Sequence, residues 1–245
     1  MKLEENRTLR APRHVSVAPI NVEPDFSGWI VRNLPGDDEK YLALAPGRLD
    51  VLGGIAEYTG GLVLAVPLAE HACVGVQRRT DGLLHITRHH SASENGAASC
   101  EIQLTRFRGA DGNRLSGPEG KEILRPYGDM VTCCAGTIIE AMRTGAFATL
   151  SGGLSLAVAS DLDDMPGVSP FAAASSAVLV CAAALAQECI EPNVAALISQ
   201  TVENDWLGVA VGPSGALCGL LGEAHVLMQL RCDSRTLGGV IRIPD

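Results

Sequence analysis

Residues Phe171 to Ala186 form the longest apolar stretch of this 245-residue chain, broken only by Ser175 and Ser176. The stretch falls short of the roughly 18 residues that a membrane span requires. It reads as a helix apolar nearly all round, and such a helix must lie at the centre of a fold with other layers on its flanks. A hydrophobic content of 47% supplies enough apolar surface for those layers, as one large domain or two small ones.

The flanking pattern says what the layers are. Upstream, Tyr41–Ala45, Leu62–Leu68, Ala72–Gln77, Leu83–Arg88 and Ile102–Arg106 have the short apolar runs or alternation of strands. Residues 91–97 read as a hairpin-like connection and 109–120 as a polar loop. Pro126–Met142 carries apolar residues at helical spacing and ends near Gly145. Pro192–Trp206 is amphipathic, with Pro192 near its first turn and Gly208 just past its end. Leu154–Ala159, Ala224–Leu230 and Val240–Ile243 add strands. Strands, then helices, then strands again predict an α+β fold, a mixed sheet backed by helices with 171–186 at its centre. Residues 1–40, with four prolines, read as a loop-rich N-terminal extension, and residues 41–245 as the domain itself.

Charge and cysteine usage exclude several functions. A net charge of -9 argues against nucleic acid, whose phosphates demand a basic surface. No Lys or Arg lies between Arg143 and Arg231, so a phosphate held there must rest on backbone N–H groups, a metal or distant arginines. The polar, basic start of the chain has no secretory pattern, and no stretch suits a membrane. Eight scattered cysteines without a C-x-x-C pair fit reduced thiols in a cytoplasmic protein better than disulfides or zinc. His85, His89 and His90 could seed a metal site but lack a partner cluster, so no metal site is assigned. Trp206, at a helix end, reads as core.

The segment Ala45–Gly61, APGRLDVLGGIAEYTGG, carries the chemistry. Pro46 and Gly47 predict a tight turn that lifts the chain off a strand. Arg48 can present a planar cationic fork to an anion, or close an ion pair with Asp50 or Glu57 inside a glycine-rich hairpin. The pairs Gly53-Gly54 and Gly60-Gly61 allow close backbone approach to a ligand. Glu57 offers a carboxylate able to accept two sugar hydroxyls.

This segment resembles the first motif of GHMP sugar kinases, in which galactokinases carry A-P-G-R-V-N-L-I-G-E-H-T-D-Y-N-G-G and plant-type arabinokinases A-P-G-R-L-D-V-M-G-G-I-A-D-Y-S-G. The likeness runs on over residues 41–245. It implies the N-terminal domain of that family, a ribosomal-protein-like α+β fold, and ATP-dependent phosphorylation of a monosaccharide such as galactose or arabinose, with magnesium. By resemblance Arg48 matches the arginine near the transferred phosphoryl group. Glu57 matches the aspartate that binds sugar hydroxyls, with Asp50 and Tyr58 on the same substrate side. The resemblance also implies a second, C-terminal domain about where Asp245 stands, so the chain is expected to hold the N-terminal domain alone.

The second family motif, G-x-G-(L/V)-S-S-S-A, corresponds to residues 165–172. Gly167, Val168, Ser169 and Ala172 match it, whereas Met165, Pro170 and Phe171 do not. A phosphate cradle needs backbone N–H groups at a helix N-terminus, and Pro166 and Pro170 each remove one. Ser169 as N-cap and Pro170 as first helical residue would still start the helix. The family's magnesium carboxylate falls at Ser175. Its catalytic aspartate and following glutamine fall at Gly215 and Ala216, with no acid between Asp205 and Glu223. The expectation is a sugar kinase by lineage, impaired or inactive as this chain. The alternatives are a pseudokinase serving as a sugar-binding or protein-interaction module, and a split or remnant gene product. Expected partners are a monosaccharide and, through an uncovered face, a second copy or a separate C-terminal subunit.

Overall fold

The computed structural model describes residues 26–89, 97–147, 150, 152–163 and 165–243. A seven-stranded mixed sheet organises them. Its strands are β1 (Lys40–Leu52), β2 (Leu62–Arg79), β3 (Leu83–His89), β4 (Ala97–Gln103), β5 (Gly153–Ser160), β6 (Val226–Arg231) and β7 (Thr236–Arg242). The two strands expected at 62–68 and 72–77 are one 18-residue strand, continuous through Pro67.

That length makes β2 the axis of the sheet. β1 pairs antiparallel along one of its edges, from Lys40 opposite Gln77 to Leu52 opposite Leu64. The other edge is shared, with β6 on Leu62–Ala65 and β5 on Ala72–Arg79. Between them Asp161 plugs the opening, its Oδ1 accepting the His71 N–H at 2.6 Å. β3 runs parallel to β5 and antiparallel to β4, and β7 closes the far side against β6.

Alternation along β2 and β5 sends side chains to two faces. Val74, Val76, Leu156 and Val158 face the main core. There α4 (Pro170–Ala186) lies across β1 and β2, flanked by α3 (Asp129–Thr144), α5 (Pro192–Thr201) and α6 (Ser214–Leu221). All but three of its seventeen residues are buried, as an all-apolar helix requires. Cys73, Ala157 and Ala159 face the opposite way and take α1 (Phe26–Asn33) through Phe26, Ile30 and Leu34. Gly75 admits this helix, since a Cβ there would collide with Ile30.

Several expectations are corrected. The N-terminal extension is not loop throughout: α1 occupies Phe26–Asn33, while residues 1–25 lie outside the described residues, as do His90 and most of the expected 91–97 connection. The polar loop at 109–120 ends in helix α2 (Gly117–Leu124), opened by a capping box between Ser116 and Glu119. The helix expected at 192–206 changes at Val202 into a π-turn, Val202–Leu207, ended by Gly208 in the left-handed region. Trp206 is fully buried, as expected of a core residue. His89 packs edge-on to Trp29, ring centres 5.0 Å apart. Among the described residues no helix is long and apolar enough to cross a membrane.

Candidate active site

The site forms where β1 passes under the loop 161–169. No turn lifts the chain at Pro46-Gly47; β1 runs straight through it with a bulge between Pro46 and Arg48. The reason is packing. A Cβ on Gly47 would lie 2.6 Å from Leu162 Cδ2 and 3.0 Å from the Val168 carbonyl oxygen, so glycine lets the loop press onto the strand. The Arg48 N–H then donates to the Val168 carbonyl at 2.9 Å.

Arg48, Asp50 and Glu57 come together. Arg48 Nη2 donates to Glu57 Oε2 at 3.0 Å, and Nη1 lies 3.4 Å from Asp50 Oδ2, an ion pair without hydrogen-bond alignment. Glu57 closes a short 3-10 turn, Gly54–Glu57, whose start is fixed by the Gly54 N–H donating to Asp50 Oδ2 at 3.1 Å. Only 5% of Glu57 is exposed. Its Oε1 accepts both the backbone N–H and the hydroxyl of Ser214, at the start of α6, and Gly212 packs so closely that any Cβ would overlap Glu57. The carboxylate is therefore spent on the chain's own groups. Tyr58 stands outside, 61% exposed, its hydroxyl 3.4 Å from the Ala210 carbonyl. Arg48 Nε and Nη1 and Asp50 Oδ1 are buried with no hydrogen-bond partner among the described residues.

Sequence reading missed a second buried acid. Glu203, on the π-turn and 5% exposed, faces this cluster. Its carboxyl is pushed up to about 7, by burial first and by the nearby Glu57 second, with Arg48 pulling the other way. The available signal was its spacing: four residues after Ser199 and three before Trp206, both buried. Burial likewise holds the Cys218 thiol at about 12.

The loop 165–169 leads into the start of α4. Gly167 and Ser169 are both left-handed, φ 79° and 60°. Ser169 stands at the N-cap of α4 but makes no side-chain cap, contrary to expectation, while Pro170 does open the helix. The Val168 carbonyl points inward to Arg48. Ser175, where the resemblance would place a magnesium carboxylate, is fully buried and accepts a hydrogen bond from Thr137 at 2.9 Å. A Cβ on Gly215 would lie 2.9 Å from both Ala172 Cβ and Ser169 Oγ. An acid at 215 therefore has no room unless α4 or α6 moves.

No family model matches the chain. The fold itself is that of galactokinase and mevalonate kinase. *Lactococcus lactis* galactokinase complexed with galactose superposes with a TM-score of 0.65 at 19% identity, covering 84% of this chain and 47% of that one. *Methanococcus jannaschii* mevalonate kinase superposes with a TM-score of 0.59 at 10% identity, over 84% and 56%. In sequence the chain is 30% identical over 233 residues to L-arabinokinase of *Arabidopsis thaliana*, covering 85% of this chain and 22% of the relative. A galactokinase of *Roseiflexus* sp. is 26% identical over 196 residues, covering 80% and 44%. The chain thus spans less than half the length of the curated relatives it matches. Its relatives in sequence are L-arabinokinase and galactokinase and its structural neighbours galactokinase and mevalonate kinase, all of the GHMP kinase family.

Proposed function

We propose that this chain is a sugar-kinase domain by descent, corresponding over residues 41–245 to the family's N-terminal domain, in which packed structure has replaced the phosphoryl-transfer apparatus. It serves as a binding module, a pseudokinase. The observation that carries this reading is the contact of Gly215 with Ser169 and Ala172, which fills the place where base and phosphate loop would face one another. Phosphoryl transfer depends on positioning and charge neutralisation, and here the loop carbonyl, the buried Ser175 and the glycine contact all oppose both.

Calorimetry with Mg-ATP checks it. The expected result is no binding tighter than about 1 mM, roughly −4 kcal/mol, and no transfer of labelled phosphate to galactose or arabinose. Micromolar binding or turnover above background would show that the cradle survives. Retained monosaccharide binding is a second reading, favoured by the unpartnered Arg48 and Asp50 atoms beside exposed Tyr58. A thermal shift with galactose or arabinose that Asp50→Asn abolishes would support it.

The partner face is apolar. Leu49, Val51, Leu52, Ile55 and Leu62 are 51–79% exposed at the ends of β1 and β2, and Leu237, Val240 and Ile241 extend the apolar character onto β7. Exposed apolar patches beyond a few hundred Å² mark interfaces. This one fits the part of a kinase polypeptide that the chain does not span, whether on the same protein or on a separate subunit. Sedimentation at micromolar concentration is expected to show self-association, reduced in Leu52→Glu/Ile55→Glu. A sharp monomer of the unmodified chain that binds no hydrophobic dye would rule the face out as an interface.

A further inference from the structure

A cleft of about 760 Å³ opens at the other end of β5 from the loop 161–169. Its walls include Arg108, Asn113 and Arg114 from the loop before α2, and Met142, Arg143 and Phe147 from the end of α3 and beyond. Gly152, just before β5, lines it too, whereas the candidate active site lies past Ser160. Eight residues of strand separate them, ~25 Å at ~3.3 Å per residue.

Three arginines line it, and they differ in their partners. Arg143 is held by Glu140 through Nε at 2.9 Å and Nη2 at 2.6 Å, and it also feels Asp205. Arg108 Nη1 donates to the Gly112 carbonyl at 2.7 Å. Asp111, the acid of the loop, is turned to Asn113, whose backbone N–H and Nδ2 both donate to it. Arg114 differs: its Nη1 is buried with no hydrogen-bond partner among the described residues, and the cation opposite it across a backbone bridge is Arg108. Desolvation, then Arg108, pulls its pKa down, the direction of a guanidinium short of negative charge.

A half-buried guanidinium facing another cation, with one nitrogen buried and unpaired, is costly without an acceptor. An oxyanion in the cleft would supply acceptors to both, and the guanidinium fork matches phosphate oxygens two at a time. The volume falls in the range of small-molecule sites. We propose that this cleft binds a small phosphomonoester, its phosphate held by Arg114 and Arg108 and the rest of the molecule lying against Met142 and Phe147. The site is separate from the kinase-like one and independent of whether that one works.

The test is thermal unfolding and calorimetry of the unmodified chain, Arg114→Gln and Arg108→Gln, with inorganic phosphate and with glycerol 3-phosphate. Potassium chloride at matched ionic strength controls for screening, and the general stabilisation by phosphate through exclusion from protein surfaces is recognised because it does not saturate and is equal in all three proteins. The expected result is a saturable shift with both probes, with affinity at least tenfold weaker in each variant. In phosphate-free buffer Arg114→Gln should melt no lower than the parent, since it removes a half-buried charge that faces Arg108 and whose Nη1 is unpaired among the described residues. A non-saturating rise of equal size in all three proteins overturns the proposal, as does binding of inorganic phosphate with exclusion of glycerol 3-phosphate. Should Arg114→Gln fail to fold, the exposed Arg108→Gln decides by the same criteria.

Discussion

Glu57→Ala is expected to destabilise the domain by about 3–5 kcal/mol, the usual cost of stranding one partner of a buried ion pair. The loss has several parts. Arg48, 12% exposed at its side chain, would keep its charge and lose its better-aligned acceptor. The Ser214 N–H and hydroxyl would lose theirs at the start of α6. The space pressed by Gly212 would become a void. Urea unfolding gives the value directly. The double variant Arg48→Met/Glu57→Leu is expected to recover the part due to the stranded Arg48 charge and the void, but not the part due to the Ser214 donors. A cost under about 1 kcal/mol for Glu57→Ala would mean that the carboxylate is available to a ligand, and the monosaccharide reading would then be preferred.

The second large effect is on pH dependence and comes from Glu203. Its folded value of about 7 lies above the ordinary 4.5, so the folded state holds this proton more tightly than the unfolded one. Its contribution to stability is complete below pH 4.5, declines as pH rises toward 7, and is lost above it. The span corresponds to about 3 kcal/mol at most. Glu203→Gln keeps the shape and removes the titration. Relative to the parent, the variant should therefore gain up to about 3 kcal/mol between pH 5 and pH 8, read by urea unfolding at both pH values. Other carboxylates drop out of that comparison, since both proteins share them. A difference that stays constant with pH would show that Glu203 is ionised, or solvated, throughout.

Much of this fold could be read before the structure was seen, and the reasons are local. The all-apolar run at 171–186 has one solution, a central helix, and alternation in β3 and β5 sets their faces. What escaped depends on tertiary contacts. Residues 69–71 suggested a break between two strands, yet β2 runs on through them, in the gap between β5 and β6 where Asp161 holds His71. Pro46-Gly47 suggested a turn, but Gly47 is glycine because Leu162 and Val168 lie against it. α2 was hidden in a polar stretch because glycines at 117 and 120 weaken its helical signal. Their place is explained only by the indole of Trp206, against which both pack. At the site, the spacing of Arg48, Asp50 and Glu57 suggested that they meet. That Glu57 is turned inward, and that Glu203 joins it, depends on Ser214 and a π-turn that no local pattern announces.

That indole has a spectroscopic consequence. The chain has two tryptophans, and they report different places. Trp206 is sealed by Gly117, Gly120 and Gly136, with Phe107 6.3 Å away and its own Nε1 hydrogen buried without an acceptor among the described residues. An indole so dry and so fixed should emit at the short-wavelength end of the tryptophan range, with a narrow band and little quenching by iodide. Trp29 lies edge-on to His89 on the opposite face of the sheet, where a protonated imidazole would quench it. In Trp29→Phe the remaining emission would come from the turn that carries Glu203 three residues away, so a single spectrum followed through neutral pH would show that carboxyl gaining or losing its proton in the folded state.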